Sequence, residues 1–450
     1  MTRIASTDII LDLRAAVAKS FSVQADVLMN LLDALMVGPR IGTPFEVVFS
    51  PVWGYDGSSV YAALRRVAAD GDVETLRRVR LGWRVDHEGL AEPNPRVGSW
   101  RLRVLDATNY DRPQTRTVRH GFAHGADGMA PGHALSVLTE RVGPGGWPLP
   151  LAVEVVPVEE HPAAYGAEPV VAFADTHGWA DKDLLVVDAG YTNQPTRSVL
   201  LKGGVNGFGR VRSKRTFYQP PPVVSGKRGR GRPKVRGKKI KLNDARTVPT
   251  PDAEKTVPYE DGRYFEVARW SDVRMRKWPG QPVVLYRVIE YRADGTRRYE
   301  RPLWLIYVGR SSAPTLAEAQ AIYPERFGVE HGLRFKKGDL GLVAGQFYGP
   351  GALERIQWWV ELVATVMWLL WAARPLARAP EVHWPTWLRT GQLTPGTMRK
   401  LAGAILCKLG IGAPQPQRRG KSPGRPLGRR FEPRPRYRLY RKRGQRANSP

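Results

Sequence analysis

Four consecutive apolar residues at positions 184–187, Leu-Leu-Val-Val, constrain the fold of this chain most strongly. An uninterrupted apolar run of this length is typical of a central β-strand buried on both faces, and such strands belong to sheets that helices cover. Asp188 and Gly190 follow the run. Because ligand sites of open α/β sheets lie at the carboxyl ends of strands, the pattern predicts an α/β fold with Asp188 in a site.

A second carboxylate, Asp106, follows another predicted strand. Apolar residues alternate with arginines through residues 100–106, as in a half-buried strand, and we expect Asp106 at its end. Turn chemistry or a helix N-cap is the alternative role for either aspartate. Three nearby aspartates are predicted to be turn or surface residues: Asp111, Asp181 and Asp183.

Four residues near position 330 carry distinctive chemistry: Tyr323, Arg326, Glu330 and Lys337. If this stretch is a helix that turns about 100° per residue, the four share an arc of about 60° on one face. The carboxylate on that face can hold a divalent cation, and the cations beside it can hold phosphate oxygens. The alternative is a solvated helix face with an i,i+4 pair between Arg326 and Glu330.

Together with the two upstream aspartates, this spacing resembles that of bacterial insertion-sequence transposases of the DDE type. Their pattern is Tyr, two residues, Arg, three residues, Glu, six residues and Lys. The resemblance covers about residues 98–345. It implies a ribonuclease-H-like α/β fold, with the first Asp on the first strand, the second Asp on the fourth strand, and the Glu on a later helix.

The resemblance also implies what the site does. Asp106, Asp188 and Glu330 would be the catalytic residues and would bind two Mg²⁺ (or Mn²⁺) ions. The other motif residues would contact the DNA backbone: Tyr323, Arg326 and Lys337. The enzyme would cleave the transposon ends and transfer the cut strand to target DNA, and it would do so as a homodimer assembled on the DNA.

The net charge of +28 over 450 residues independently predicts a polyanionic partner. Double-stranded DNA is the predicted partner, and an anionic membrane surface is the other candidate. The most apolar stretch, residues 358–373, contains Glu361 and is shorter than the about 20 apolar residues of a spanning helix, so we predict a buried helix and no membrane partner. A polar N-terminus and a single cysteine, Cys407, favour a reducing cell interior. The resemblance implies the bacterial cytoplasm, with the protein on the nucleoid.

Two basic segments add to the predicted DNA contacts. Arg230 and Arg232 belong to an Arg-Gly-Arg-Pro sequence that resembles an AT-hook. Such a segment stays extended, so its two arginines can enter the narrow minor groove of A·T-rich DNA. The alternative is sequence-independent phosphate contact by a disordered loop. The tail, residues 413–450, is rich in arginine and proline, and is predicted to be disordered and to bind DNA in a salt-dependent manner.

The predicted domain plan has four parts. Residues 1–97 form a helical domain that either binds DNA or packs on the catalytic core. The catalytic domain follows at residues 98–345, with a β-rich insertion at about 195–310, and C-terminal helices follow at 346–412 before the tail. Some tryptophans of the insertion are candidates for stacking on an unpaired base, with core packing as the alternative: Trp270, Trp278 and Trp304.

The residues leave other functions open. A metal-dependent DNA nuclease or recombinase on the same fold would cut DNA without strand transfer. An inactive remnant of a transposable element, or a basic DNA-packaging or regulatory protein, would bind DNA without cutting it. Mg²⁺-dependent nicking distinguishes the enzymes from the non-enzymatic proteins.

Overall fold

The computed structural model describes residues 6–86, 96–112, 119–125, 128–143, 147–222, 235–259, 261–377, 393–412 and 435–438, with positions 428 and 440. The chain divides into two compact units. The first consists of Met1–Pro95, Ala107–Pro162 and Gly328–Pro450, and the second of Arg96–Asp106 and Ala163–Phe327. Both contain helices and strands, which confirms a mixed α/β protein. The predicted domain boundaries stay a proposal.

The first unit is mainly helical. Its helices are α1 (Ser6–Ser20), α2 (Ala25–Val37), α3 (Gly57–Asp70), α4 (Val73–Asp86), α9 (Phe327–Gly338, apart from Phe327), α10 (Ala352–Ala372), α11 (Arg374–Ala377) and α12 (Pro395–Lys408). Side-chain caps fix several of their starts: the Asp56 carboxylate accepts from the Ser58 and Ser59 N–H groups at α3, and Thr394 accepts from Thr397 N–H at α12. The long helix α10 contacts α1, α2, α3 and α4, so it is the centre of this unit.

A buried ionic network ties α10 to its neighbours. Glu361 is fully buried, and its carboxylate accepts from Arg77 Nε at 2.8 Å, Arg80 Nη2 at 2.7 Å and Val153 N at 3.0 Å. The two arginines lie on α4, and Val153 lies on β5 (Trp147–Val155). Since a buried charge is tolerated only when it is paired and hydrogen-bonded, the network explains how an apolar helix carries Glu361.

The strands of the first unit are antiparallel. β3 (Gly121–Gly125) pairs with β4 (Gly128–Val142), and β4 pairs with β5. The Arg112 N–H donates to the Pro131 carbonyl at 2.7 Å, which places the end of β2 (Trp100–Asp111) beside β4. The first half of β2 belongs to the second unit, so this one strand contributes to both.

In the second unit, the apolar run forms a buried strand, as predicted. All five residues of β6 (Asp183–Val187) are buried, and β6 runs parallel to β2 on one side and to β7 (Gly207–Val211) on the other. The helices of this unit are α5 (Pro162–Tyr165, apart from Pro162), α6 (Ala167–His177), α7 (Gln194–Lys202) and α8 (Leu316–Ile322). β1 (Arg96–Val97) pairs with β2.

The remaining strands of the second unit form a β-rich segment after β7. They are β8 (Thr216–Tyr218), β9 (Lys239–Lys241), β10 (Ala253–Pro258), β11 (Tyr264–Met275), β12 (Trp278–Tyr291) and β13 (Leu303–Val308). β13 pairs with β7 and β12, and β11 pairs with β12, β10 and β8, all antiparallel. A hydrophobic core that includes Trp270 and Trp304 supports this sheet.

Within the described residues, no helix is both long enough and apolar enough to cross a membrane. The predicted apolar helix is α10, whose side chains from Trp358 onward are buried in the first unit. Cys407 lies near the end of α12 and is exposed.

Candidate active site

The parallel pairing of β2 with β6 sets the position of two predicted site residues. Arg101 lies opposite Asp183, and the register continues to Leu105 opposite Val187. Asp106 and Asp188 are the next residues on the two strands, so the register carries both carboxylates to neighbouring positions at the end of the paired segment. Asp188 follows β6 directly, as the apolar run predicts.

The expectation that Asp106 ends its strand is wrong. β2 continues to Asp111, and only its pairing with β6 stops at Leu105. The backbone beyond Leu105 stays extended because it continues into the antiparallel part of the first unit, where Arg112 bonds to Pro131. Asp106 is therefore a mid-strand residue at the end of a parallel ladder.

Tyr323 and Arg326 lie against the two aspartates. They bound a 3₁₀ turn, Tyr323–Arg326, that contacts β6 and β7. Tyr323 Oη is 3.5 Å from Asp188 Oδ1, and Arg326 Nη1 is 3.2 Å from Asp106 Oδ2. Both side chains are buried, and burial raises the pKa of Tyr323, with Asp188 adding to the rise and Arg326 opposing it. The structure thus brings four of the predicted residues together.

The prediction of one continuous helix through Tyr323 and Lys337 is wrong at its start. α8 ends at Ile322, the 3₁₀ turn follows, and α9 begins at Phe327. Pro324 lies in the first part of the turn, where a backbone N–H would have no partner inside the turn. Proline, which has no N–H, therefore fits there without losing a hydrogen bond. A 3₁₀ turn has three residues per turn, so Tyr323 and Arg326 still share a face, although not by the α-helical arithmetic.

The other two motif residues lie on α9, in the part that belongs to the first unit. Glu330 is exposed, and Lys337 is half-buried. Burial lowers the pKa of the Lys337 ammonium, and the nearby Asp111 carboxylate opposes that shift. The predicted meeting of Glu330 and Lys337 with the aspartates stays a prediction.

Two aromatic residues at this site were missed by the sequence analysis. Tyr191 follows Asp188 by three residues, and burial raises the pKa of its phenol, with Asp106 and Asp188 adding to the rise. Phe327 is 47% exposed, and the Arg326 guanidinium lies 5.0 Å from its ring centroid. Only their places next to Asp188 and Arg326 in the chain could have suggested them.

The prediction for Asp183 is wrong. This residue is 4% exposed and its Oδ2 lies 2.9 Å from Arg103 Nη1 and 2.9 Å from Ala180 N. The Arg103 guanidinium also lies 4.4 Å from the centroid of the Trp179 ring. Asp183 is a buried ion-pair partner because the register places it beside Arg103, which no local pattern reveals. Asp181 is exposed, as predicted.

The donor chemistry of Asp106 and Asp188 suits Mg²⁺. This ion prefers oxygen ligands and is usually bound by one or two carboxylates, with water molecules or phosphates completing its shell. Among the described residues, no group of three or more His, Cys, Asp or Glu is arranged to hold a metal ion. The fit therefore rests on the two aspartates.

The insertion tryptophans pack as the alternative predicts. Trp270 and Trp304 are each 3% exposed, and their ring centroids are 5.5 Å apart. Both also line a cavity of about 600 Å³ whose other walls include Lys214, Arg287 and Arg301. The cavity lining thus includes both aromatic and cationic side chains.

The predicted AT-hook residues, Arg230 and Arg232, lie outside the described residues. Most of the basic tail lies outside them as well. In the described part of the tail, the Tyr440 N–H donates to the His120 carbonyl at 2.9 Å.

One of three comparisons with known proteins identifies the family of this chain. No curated protein matches the sequence. A solved piggyBac transposase synaptic complex with hairpin DNA matches at 10% identity and a TM-score of 0.30, over 85% of this chain and 74% of that one, and such a low likeness supports no inference. The family model of the transposase DDE domain matches residues 101–365, which is more than half of the chain. The protein therefore belongs to the family of transposases with a DDE domain.

Proposed function

We propose that this transposase cleaves the DNA ends of its element and joins them to target DNA, with Asp106, Asp188 and Glu330 as its catalytic carboxylates. The observation that carries the proposal is the register of β2 and β6, which leaves Asp106 and Asp188 as neighbours. The contacts of Arg326 with Asp106 and of Tyr323 with Asp188 support it, because these two residues belong to the same predicted motif.

The fold that we propose for the catalytic part is ribonuclease-H-like. The parallel pairs β2–β6 and β6–β7, and the antiparallel pair β4–β5, are pairings that such a core requires. If the count runs through β2, β4 and β5 and leaves out the hairpin strand β3, β6 is the fourth strand. Asp106 then lies on the first strand and Asp188 directly follows the fourth, as the resemblance implies. The β-rich segment after β7 would be the insertion, within the proposed 98–345 domain.

In the proposed mechanism, Asp106 and Asp188 would hold Mg²⁺ or Mn²⁺ ions, and Glu330 would complete the site for two of them. When bound, the metal would supply Lewis-acid chemistry, which activates the attacking water or 3′-hydroxyl and stabilises the leaving oxygen. The chain's own part would be to hold Asp106 and Asp188 at the end of the ladder that β2 and β6 form, and to hold the DNA phosphate in place.

Arg326 and Tyr323 would position that phosphate. The guanidinium has five N–H donors, so a bond to Asp106 leaves others to direct at a phosphate oxygen. The Arg326 guanidinium lies near the rings of Tyr323 and Phe327, which limit the rotamers of its side chain. The side chain therefore loses less conformational entropy when it binds a phosphate. Lys337 would contact the backbone as a point charge.

The wider DNA contacts follow from charge. Arg230 and Arg232 would enter the minor groove, and the cationic wall of the insertion cavity suits a DNA backbone. The helical N-terminal domain and the tail would add further contacts. A homodimer would hold two element ends, and the protein would act on the nucleoid in the cytoplasm.

A cleavage assay tests the proposal. A labelled duplex that carries the element's own end is incubated with Mg²⁺ or with EDTA, and the wild type is compared with Asp188→Asn. We expect metal-dependent cutting at the element boundary, and a loss of at least a hundredfold in the variant with end-DNA binding retained, because a neutral amide is a poor Mg²⁺ ligand.

Asp181→Asn is the matched control, since Asp181 is exposed and is the same kind of residue seven positions earlier. Glu330→Gln should behave as Asp188→Asn does. Normal cleavage by Asp188→Asn would remove Asp188 from the site. Tight binding by the wild type with no cleavage in any divalent metal would instead indicate an inactive remnant.

A further inference from the structure

Tyr191 is a buried tyrosine with an unusual hydroxyl. It is 4% exposed and ends a 3₁₀ turn, Ala189–Tyr191, that begins directly after Asp188. Its N–H donates to the Asp188 carbonyl at 3.1 Å, so the backbone ties it to the site. Within the part of the chain that the structure describes, no group bonds to its Oη. A buried hydroxyl without a partner costs about 1–3 kcal/mol, so its presence needs a reason.

Other buried tyrosines of the same unit show what ordinary packing looks like. Tyr286 Oη donates to the Pro314 carbonyl at 2.6 Å, and Tyr307 Oη donates to the Ser311 carbonyl at 2.8 Å. Tyr191 differs from both, although its ring is equally buried. A phenylalanine would fill the same space without the cost of the hydroxyl.

The surroundings of the Tyr191 hydroxyl are anionic. Both Asp106 and Asp188 raise the pKa of this phenol beyond the rise that burial causes, so the group stays neutral and keeps its proton. Asp106 bonds to Arg326 and Asp188 faces Tyr323, and neither accepts a bond from Tyr191. The neutral O–H is therefore a donor that bonds to no group among the described residues, on the turn that directly follows Asp188.

We propose that Tyr191 is a positioning residue whose hydroxyl donates a hydrogen bond to an oxygen atom held beside Asp106 and Asp188. That oxygen belongs either to a water molecule that enters with the metal or to the DNA phosphate. The proton stays on the phenol, and no bond is made or broken at this residue. The inference rests on the proposed function, which places the metal and the phosphate here.

The test compares Tyr191→Phe with the wild type in two arms. In the first, Mn²⁺ binding without DNA is followed by electron paramagnetic resonance of the free ion. In the second, cleavage of the end duplex is measured as kcat and KM. Because a hydrogen bond of this kind is worth about 0.5–1.5 kcal/mol, we expect a two- to tenfold loss. A loss in Mn²⁺ affinity identifies water as the acceptor, and a loss in cleavage alone identifies the phosphate.

Thermal unfolding of metal-free protein separates positioning from folding. Tyr191→Phe should unfold at the same temperature as the wild type or higher, because it loses no bond. The control Tyr307→Phe, which loses a satisfied bond away from the carboxylates, should unfold at a lower temperature with unchanged Mn²⁺ affinity.

Two outcomes overturn the inference and can be told apart. If the wild type binds Mn²⁺ in an Asp188-dependent way and Tyr191→Phe matches it in both arms, only the role of Tyr191 is wrong. If the wild type shows neither Asp188-dependent Mn²⁺ binding nor cleavage, the proposed function and the inference fail together.

Discussion

Charged side chains in this protein divide into those that a local pattern predicts and those that only the fold explains. The position of Asp188 after a buried strand could be predicted, because an apolar run that ends in a polar residue is a local signal. The burial of Asp183 could not be predicted, because its partner Arg103 is 80 positions away and the register of two strands brings the pair together. The contact between Asp106 and Arg326 spans 220 positions and was equally invisible, although both residues had been singled out.

Lys336 is a second buried charge that the sequence does not reveal, and it yields a prediction. It is 1% exposed, and burial lowers the pKa of its ammonium to about 8, with Glu361 opposing the shift. Glu361 already bonds to Arg77 and Arg80. Lys336→Met should therefore raise the free energy of unfolding at pH 7, by about 1–3 kcal/mol, because it removes a buried charge while Glu361 keeps its two arginine partners.

The pH dependence of that difference has a definite sign. The ordinary lysine pKa is 10.5, so between about pH 8 and 10.5 the unfolded chain binds more protons here than the folded one. Stability of the wild type should rise relative to Lys336→Met across that window. Denaturant unfolding at several pH values measures it, with the exposed Lys400→Met as control. A variant less stable than the wild type at pH 7 would mean that Lys336 is net stabilising.

For helices and strands, the sequence predicts that an element exists better than it predicts where the element ends. The strand before Asp188 and the helix α10 both occur where their apolar runs predict them. The continuation of β2 past Asp106 was missed, because its second half pairs within another part of the chain. The break before α9 was also missed, although Pro324 was a visible reason to expect a change of geometry.

Close contact between β6 and β7 gives a second prediction. A Cβ at Gly209 would lie 2.6 Å from the Val187 carbonyl oxygen and 2.9 Å from Arg197 Nη2. Gly209→Ala should push β7 away from the strand end that carries Asp188 and lower the free energy of unfolding by about 1–3 kcal/mol. Metal-dependent cleavage should fall with it.

Gly280→Ala is the matched control for that change, because a Cβ there meets nothing within 4 Å. Its stability should stay within about 0.5 kcal/mol of the wild type. Equal unfolding curves for Gly209→Ala and Gly280→Ala would show that β7 accepts a methyl group without a loss in the free energy of unfolding, and would contradict the prediction.

For the whole molecule, the sequence predicted consecutive domains, whereas the compact units are assembled from separate segments. Composition and motif spacing are read along the chain, so they predict domains that are contiguous in sequence. The contacts that build the first unit act across it: Arg77 and Glu361 are 284 positions apart. Such pairings have no periodicity to detect.

The AT-hook-like sequence, one source of the net charge of +28, leads to a prediction about DNA affinity. Replacing both Arg230 and Arg232 with alanine should weaken binding to an A·T-rich duplex more than to a G·C-rich one, because minor-groove insertion depends on groove width. Fluorescence anisotropy at several salt concentrations measures this. The salt slope should fall by about 2, since two cations that release counterions from the DNA are lost.

The control removes two cations from the same segment, Lys227 and Arg228, and keeps the Arg-Gly-Arg-Pro core. It should weaken both duplexes equally. If the two double variants behave alike on both duplexes, the segment makes sequence-independent phosphate contacts, and the resemblance to an AT-hook has no functional meaning.

The division into segments sets an order for events on the ribosome. The second unit draws its last residue from Phe327, whereas the first unit needs α10 and α12, which end at Ala372 and Lys408. The helices that are synthesised first must therefore wait for those that are synthesised last, and Arg77 and Arg80 lack their partner until Glu361 has been added. At about 5–20 residues per second, synthesis of some eighty further residues delays closure by several seconds after the second unit is complete. During that delay the helices α1 to α4 expose the apolar faces that later pack on α10.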